Sequence, residues 1–248
     1  MTVEEMHYEF KLKLNKIDSQ DYSNFLVPEI DWYLNEAQEL FVKYRYGSKS
    51  NQKLEGFEVT QKRIDDLRNL VVKDRILPAI SSSSDPAMFE VHLPSDYMFS
   101  VRVYANGAKE SCEGRLSCIQ TQHDDLTDTL KNPFYAPSFE WREVPIVFGT
   151  SGSTTADLDK LFVYSDGSFA MTSMVMDYLR HPLRIAFPLG FAAGQYVLPN
   201  SVVINTNQNC ELARHTHREI VDIAVKLASG DMEHPAFQQK MMKTSESE

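Results

Sequence analysis

Ser81-Ser82-Ser83-Ser84-Asp85-Pro86, with Phe89-Glu90-Val91-His92-Leu93 close behind it, is the stretch that divides the chain. Serine and aspartate side chains compete for backbone hydrogen bonds and proline lacks a donor, so this is loop chemistry. Before it, apolar residues recur at helical spacing. After it they alternate, Phe89, Val91 and Leu93 against Glu90 and His92, as on a half-buried strand.

Moving toward the N-terminus, Thr2-Val3-Glu4-Glu5 is a capping box that opens a helix to about Ile17. The best-determined helix runs from Pro28, which suits a first turn, to Gly47, a stop. Ile30, Tyr33, Leu34, Ala37, Leu40, Phe41 and Tyr44 recur along it at one-face spacing. Burying that face contributes on the order of 10 kcal/mol before chain entropy is subtracted. Thr60 caps a third helix with Ile64, Leu67 and Val71 inside.

Moving toward the C-terminus, Val101 and Val103 alternate with Arg102 and Tyr104 before a turn at Asn106-Gly107. Trp141 to Phe148 reads as a strand, and Pro145 favours an edge position. Leu161 to Tyr164, Ser165-Asp166-Gly167-Ser168 and Phe169 to Tyr178 read as a β-hairpin, and Val202 to Ile204 as a closing strand. Thr216-His217-Arg218-Glu219 is a second capping box, followed by Ile220, Ile223, Ala224 and Leu227 on one face, with Gly230 as the stop. Pro235 opens a short further helix. The predicted fold class is α+β. A helical region covers 1–80, an antiparallel β region 87–205, C-terminal helices 206–242 that pack on the N-terminal bundle and complete it, and a mobile polar tail 243–248.

A chain of 248 residues, 42% hydrophobic and 24% charged, has an ordinary globular composition, large enough to bury a core without disulfides or a structural metal. With 25 Lys and Arg against 35 Asp and Glu, its net charge of −10 repels phosphate and anionic membranes, which argues against a sequence-reading nucleic-acid binder. Cys112, Cys118 and Cys210 are an odd number without a CxxC, which reads as a reducing compartment. No signal peptide or membrane-length apolar run is present, which predicts a soluble product made in the cytoplasm.

Candidate chemistry is sparse. Gly149-Thr150-Ser151-Gly152-Ser153-Thr154-Thr155 lacks the Lys-Ser/Thr of a phosphate loop and the spacing of a nucleophile elbow, and reads as an inter-strand loop. Cys210, His215, His217 and Glu219 carry zinc-ligand chemistry, but a helix opening at Thr216 separates the two imidazoles and uses Glu219 as a cap. His123-Asp124-Asp125-Leu126-Thr127-Asp128 clusters three carboxylates without the glycine and glutamate of a calcium loop, and reads as a turn feeding a capped segment. These residues predict no enzyme, no cofactor and no metal site. A metal-dependent enzyme using Cys210, His215 and His217, or Asp124 and Asp125, is the rival reading. Asn132-Pro133-Phe134-Tyr135-Ala136-Pro137 holds two aromatics between prolines of fixed φ, either tucked under the sheet or offered to a partner; Asn132, Pro133, Phe134 and Tyr135 are the candidate interface. Tyr178-Leu179-Arg180-His181-Pro182 poses the same choice.

Several pieces in combination resemble the head-to-tail ring (adaptor) proteins of tailed bacteriophages, most closely those of crAss-like phages. They are Glu29-Ile30-Asp31-Trp32-Tyr33-Leu34-Asn35-Glu36-Ala37-Gln38, Leu93-Pro94-Ser95-Asp96-Tyr97, Leu130-Lys131-Asn132-Pro133-Phe134, Tyr178-Leu179-Arg180-His181-Pro182, Cys210-Glu211-Leu212 and His217-Arg218-Glu219-Ile220-Val221. The resemblance implies a virion structural protein of the phage neck that forms a ring below the portal, prolongs the DNA channel and joins head to tail. It implies a homo-oligomeric ring, twelve-fold like the portal. Its partners would be the portal protein, the next tail or ring protein, and genomic DNA passing without sequence recognition, with no membrane involved. A tail-hub or internal virion protein is the alternative placement.

Overall fold

In the computed structural model, which describes residues 1–15, 25–47, 61–81, 85, 87–150, 159–190 and 205–231, the helices are α1 (Val3–Asn15), α2 (Val27–Tyr46), α3 (Gln61–Leu67), α4 (Leu126–Lys131) and α5 (His217–Asp231). The chain forms two units, Met1–Leu70 with Pro182–Glu248, and Val71–His181. The first holds α1, α2, α3 and α5. Thr2 and Glu5 form the expected capping box: the Glu5 N–H donates to Thr2 Oγ1 at 3.2 Å and the Thr2 N–H to the Glu5 carboxylate at 2.9 Å. At the start of α2 the Glu29 carboxylate accepts the Leu26 N–H at 2.8 Å, and at its end the Gly47 N–H closes on the Lys43 carbonyl at 2.8 Å.

The buried face of α2 is not the purely apolar one. Ile30, Leu34, Ala37 and Phe41 are buried as their spacing predicts, but Tyr44 is exposed while Asp31 and Gln38 are buried. The reason is a backbone segment, 183–187, that needs hydrogen-bond partners. Asp31 Oδ2 accepts the Phe187 N–H at 3.0 Å. Asn35 donates to the Ile185 carbonyl and accepts the Ile185 N–H, both at 2.8 Å, and Gln38 donates to the Leu183 carbonyl at 2.9 Å. Residues 31, 35 and 38 share a helix face, so one side of α2 offers this segment the bonds that a neighbouring strand otherwise supplies. His7, on α1, meets the other Asp31 oxygen at 2.7 Å.

Helix α5 packs against α1 and α2. A second polar knot ties α2, α3 and α5 together: buried Asp66 accepts Arg45 Nε at 2.9 Å and bonds His215 Nε2 at 2.6 Å, and Arg45 also grips Glu219. This displaces the second predicted capping box. Glu219 is held by Arg45, and the Thr216 hydroxyl donates to the Ala213 carbonyl at 2.9 Å within a 3-10 turn, Arg214–Thr216, that leads into α5. The helix also runs through Gly230 rather than stopping there. Ile17, Thr60, the 202–204 strand, the helix at Pro235 and the 243–248 tail lie outside the described residues.

The second unit is a sheet of β1 (Val71–Pro78), β2 (Ile80–Ser81), β3 (Met88–His92), β4 (Tyr97–Lys109), β5 (Cys112–Gln120), β6 (Glu143–Thr150), β7 (Asp159–Tyr164) and β8 (Ala170–Arg180). Its order is β1-β8-β4-β5-β6-β7-β3-β2. The strands at the two ends of that order are joined through Ala79 alone, and β1 also contacts β3. One continuous strand, 71–81, therefore bonds β8 with its first part and β3 with its last, and the sheet curls closed. Phe89, Val91, Ala105, Leu116, Val144, Ile146, Leu161, Val163, Met174 and Met176 fill the interior.

Strands begin at Val71, inside the stretch read as helical, because Val71 and Val72 pair with Leu179 and Tyr178. The sheet is not wholly antiparallel: β5 and β6 run parallel, with Ser117 opposite Glu143. Leu161–Tyr164 and Phe169–Tyr178 are not a hairpin, since β7 lies between β6 and β3 while β8 lies between β1 and β4. Asn106-Gly107 is not a turn; it sits inside β4, where a Cβ on Gly107 would come within 2.8 Å of Leu116 Cδ1. The chain reverses at Glu110, which takes the left-handed conformation at φ 55°. Pro145 lies in an interior strand, at a level where pairing with β7, which starts at Ile146, has not begun.

Two outcomes follow from this packing. Leu161 is fully buried in the closed sheet, so Leu161→Ala lowers unfolding stability by about 2–5 kcal/mol in urea titrations. Burial first, with the nearby N-terminal amine adding to it, lowers the pKa of His217 below its ordinary 6.5. The unfolded chain then binds the proton better, so stability from neutral His217 is present above about pH 6.5 and is lost as pH falls through the folded value. An imidazole NMR titration places the His217 midpoint below that of a free histidine; a midpoint at or above it contradicts this account.

Candidate subunit interface

Parallel neighbours such as β5 and β6 cannot be joined by a tight turn, because the chain must return to the starting end of the sheet before the next strand begins. Residues 121–142 make that return, and the candidate interface residues fall on it. The Thr121 N–H donates to the Ile146 carbonyl at 2.9 Å, and His123 Nε2 contacts the Phe148 carbonyl at 2.8 Å, which holds the outgoing end against β6. The predicted turn feeds a segment that forms α4. The Asp125 carboxylate makes no cap bond; Thr129 donates to the Asp125 carbonyl at 2.9 Å instead. Asn132 Oδ1 then accepts the Phe134 N–H at 3.0 Å, an Asx turn that follows from the Asn-Pro pair.

Phe134 and Tyr135 are not tucked under the sheet: they are 88% and 68% exposed. The other aromatic-rich segment is the reverse case, since Tyr178 and Leu179 lie inside β8, with the Tyr178 hydroxyl donating to Asp96 at 2.9 Å. Burial foremost, and then that bond to Asp96, raises the Tyr178 pKa to about 12.

The structure adds a third aromatic that alternation had assigned to a strand. Trp141 precedes β6 and is 81% exposed at the tip of a closed loop, 138–143. Ser138 and Glu143 exchange backbone bonds at 2.9 and 3.2 Å, Ser117 donates to the Arg142 carbonyl at 2.7 Å, and Arg142 adopts φ 56°. Phe139 points the other way, packing on Phe169 with ring centres 5.7 Å apart. Lys109 bonds Glu140 at 2.8 Å and holds its carboxyl below the usual range. A loop anchored on both sides presents Trp141 with little conformational freedom to lose on binding. The only local signal for this was the pair of bulky aromatics Phe139 and Trp141 two residues apart, which in a strand would share a face.

A family model described as phage tail ring protein 3/4 matches residues 1–239. The chain belongs to that family. As a tail ring protein of a crAss-like phage it is a structural component of the phage tail. No curated protein sequence matches the chain.

In this ring protein His215 and Glu219 both belong to the Asp66–Arg45 knot, and His217 is bonded elsewhere. His215 bonds Asp66, His217 Nε2 meets the Leu212 carbonyl at 2.9 Å, and Glu219 pairs with Arg45. Burial foremost raises the Cys210 thiol pKa to about 11, which keeps it a neutral, unreactive thiol. Among the described residues no three His, Cys, Asp or Glu side chains are placed to share a cation. No described helix is long and apolar enough to cross a membrane. Of the glycine-rich stretch, Gly149 and Thr150 end β6 and 151–155 lie outside the described residues.

The two sides of the 138–143 loop separate by stability. Trp141→Ala changes the unfolding free energy by no more than about 0.5 kcal/mol, whereas Phe139→Ala costs about 1–3 kcal/mol. Thermal and urea unfolding of the two variants checks this, and equal losses would mean that Trp141 is packed rather than presented.

Proposed function

We propose that this tail ring protein is a connector of the phage neck: a homo-oligomeric ring, twelve-fold to match the portal, that docks below the portal, extends the DNA channel and receives the next tail or ring protein. The observation that carries this reading is the family match across residues 1–239. In this reading the C-terminal helices complete the N-terminal helical bundle, and Asn132, Pro133, Phe134 and Tyr135 contribute to a protein interface. The role is architectural, with no catalytic step. Exposed aromatics on an anchored loop suit it, because aromatic anchors in preorganised positions dominate protein interfaces.

The net charge of −10 also suits a conduit. An acidic wall repels the phosphate backbone, so duplex DNA slides past without the salt-dependent attachment that Lys and Arg produce.

Native mass spectrometry of the purified full-length chain over a concentration series, together with labelled-antibody imaging of intact particles, tests the proposal. A metal-free ring of about a dozen copies, or label at the head–tail junction, is the expected result. Label at the distal tail or inside the capsid overturns the placement, and a monomer carrying stoichiometric metal overturns the architectural role.

A further inference from the structure

A closed ring needs two different surfaces on each copy, one meeting the other on the next copy, placed on opposed sides of the subunit. The curled sheet supplies such a pair. Counting 71–81 as one strand, the cyclic order is β1/β2, β8, β4, β5, β6, β7, β3 and back to β1/β2. The β5–β6 pair is thus reached from β1/β2 by three steps in either direction, and the two lie across the barrel from each other.

Both of these opposed walls carry exposed apolar side chains. On one, the β5–β6 connection presents Phe134, Tyr135 and Trp141. On the other, Ile76 is 68% and Ile80 51% exposed. Ile76 is left in water among the described residues, while Leu77 beside it faces the core. The flanking charges differ in balance. The β5–β6 connection is net acidic, with exposed Asp124, Asp125, Asp128 and Glu140 against exposed Lys131 and Arg142, whereas exposed Lys73 and Arg75 precede Ile76 along β1. The one carboxylate on that part of β1, Asp74, is turned to its own sheet: its N–H donates to Asp177 Oδ1 at 2.7 Å and its carboxylate accepts the Tyr104 hydroxyl at 3.3 Å. Its left-handed φ of 52° and the bulge between Val72 and Arg75 break the regular edge, so β1 is blunted against open-ended strand addition and offers side chains instead.

We propose that successive copies in the ring meet head to tail through the β unit, with Phe134, Tyr135 and Trp141 of one copy seated on the Ile76 and Ile80 wall of the next, and Asp124, Asp125 and Asp128 facing Lys73 and Arg75. This rests on the ring reading above and names the partner of that surface as a second copy of the chain. The acidic side of the contact and the basic side select each other and oppose the two like-with-like pairings.

The test places a photo-reactive benzoylphenylalanine at position 141 of the full-length chain, incorporates it into phage particles, and maps the adducts by peptide mass spectrometry. The expected result is a covalent dimer of the chain with the adduct in residues 71–81. Adducts to a different protein, adducts elsewhere on the chain, or no chain–chain adduct in particles that contain the chain overturn this inference while leaving the ring reading standing. Particles in which the chain is absent or present as one copy overturn the ring reading itself. A charge exchange gives an independent readout. The Lys73→Glu/Arg75→Glu pair reduces ring yield at least about tenfold, and adding Asp124→Lys/Asp128→Lys restores it; all four residues are exposed, so the subunit fold is preserved, and failure of the restoration counts against the contact.

Discussion

Strand 71–81 serves two partners, β8 with its first part and β3 with its last. That division of one strand's hydrogen bonds is what turns a sheet with two open edges into a closed one, and the β unit depends on it. Closure gives Phe89, Val91, Leu161 and Val163 a common interior with Met174 and Met176, which a flat sheet of the same strands would leave half in water. It also fixes which walls stand opposite each other. The parallel step from β5 to β6 is the second constraint, because it forces a long external return and so creates the segment on which the exposed aromatics sit.

The helical unit solves a different problem. Segment 183–187 pairs with other backbone at one point, where Ala186 and Gln208 exchange bonds at 3.1 and 2.8 Å, and its other N–H and C=O groups would be costly if buried without partners. Asp31, Asn35 and Gln38 meet that cost from one face of α2. The Asp66, Arg45, His215 and Glu219 knot does the equivalent between helices. Polar groups inside this unit are therefore part of its packing specification: each bond is satisfied by a residue distant in the chain, which rewards one arrangement over its apolar alternatives.

A ring subunit has to be stable alone and adhesive at defined places. The core of the β unit is apolar and filled, while Phe134, Tyr135, Trp141, Ile76 and Ile80 are left in water on elements held by backbone bonds. Exposed apolar groups on rigid supports cost the monomer little stability and lose little entropy on assembly. A surplus of acidic charge over the whole chain limits indiscriminate association.

The elements that sequence alone determined are those whose signals are local. The Thr2–Glu5 capping box, α2 from its proline to Gly47, the alternation of Phe89, Val91 and Leu93, and the family membership carried by short motifs in order were all legible, because capping, periodicity and motif order involve residues a few positions apart. The candidate site was half legible: Phe134 and Tyr135 stood out between their prolines, but Trp141 was hidden in an apparent strand. Asn106-Gly107 reads as a turn in sequence, but the glycine is required by Leu116 on another strand, and Ser165–Ser168 reads as a hairpin turn, but β7 and β8 both find better partners elsewhere. Buried Asp31, Gln38 and Asp66 look like surface residues until the groups they bond are in view. Strand order, closure, the parallel pair and the fate of each exposed aromatic were decided by tertiary structure, since each depends on which distant backbone or core surface competes for the same hydrogen bonds and the same space.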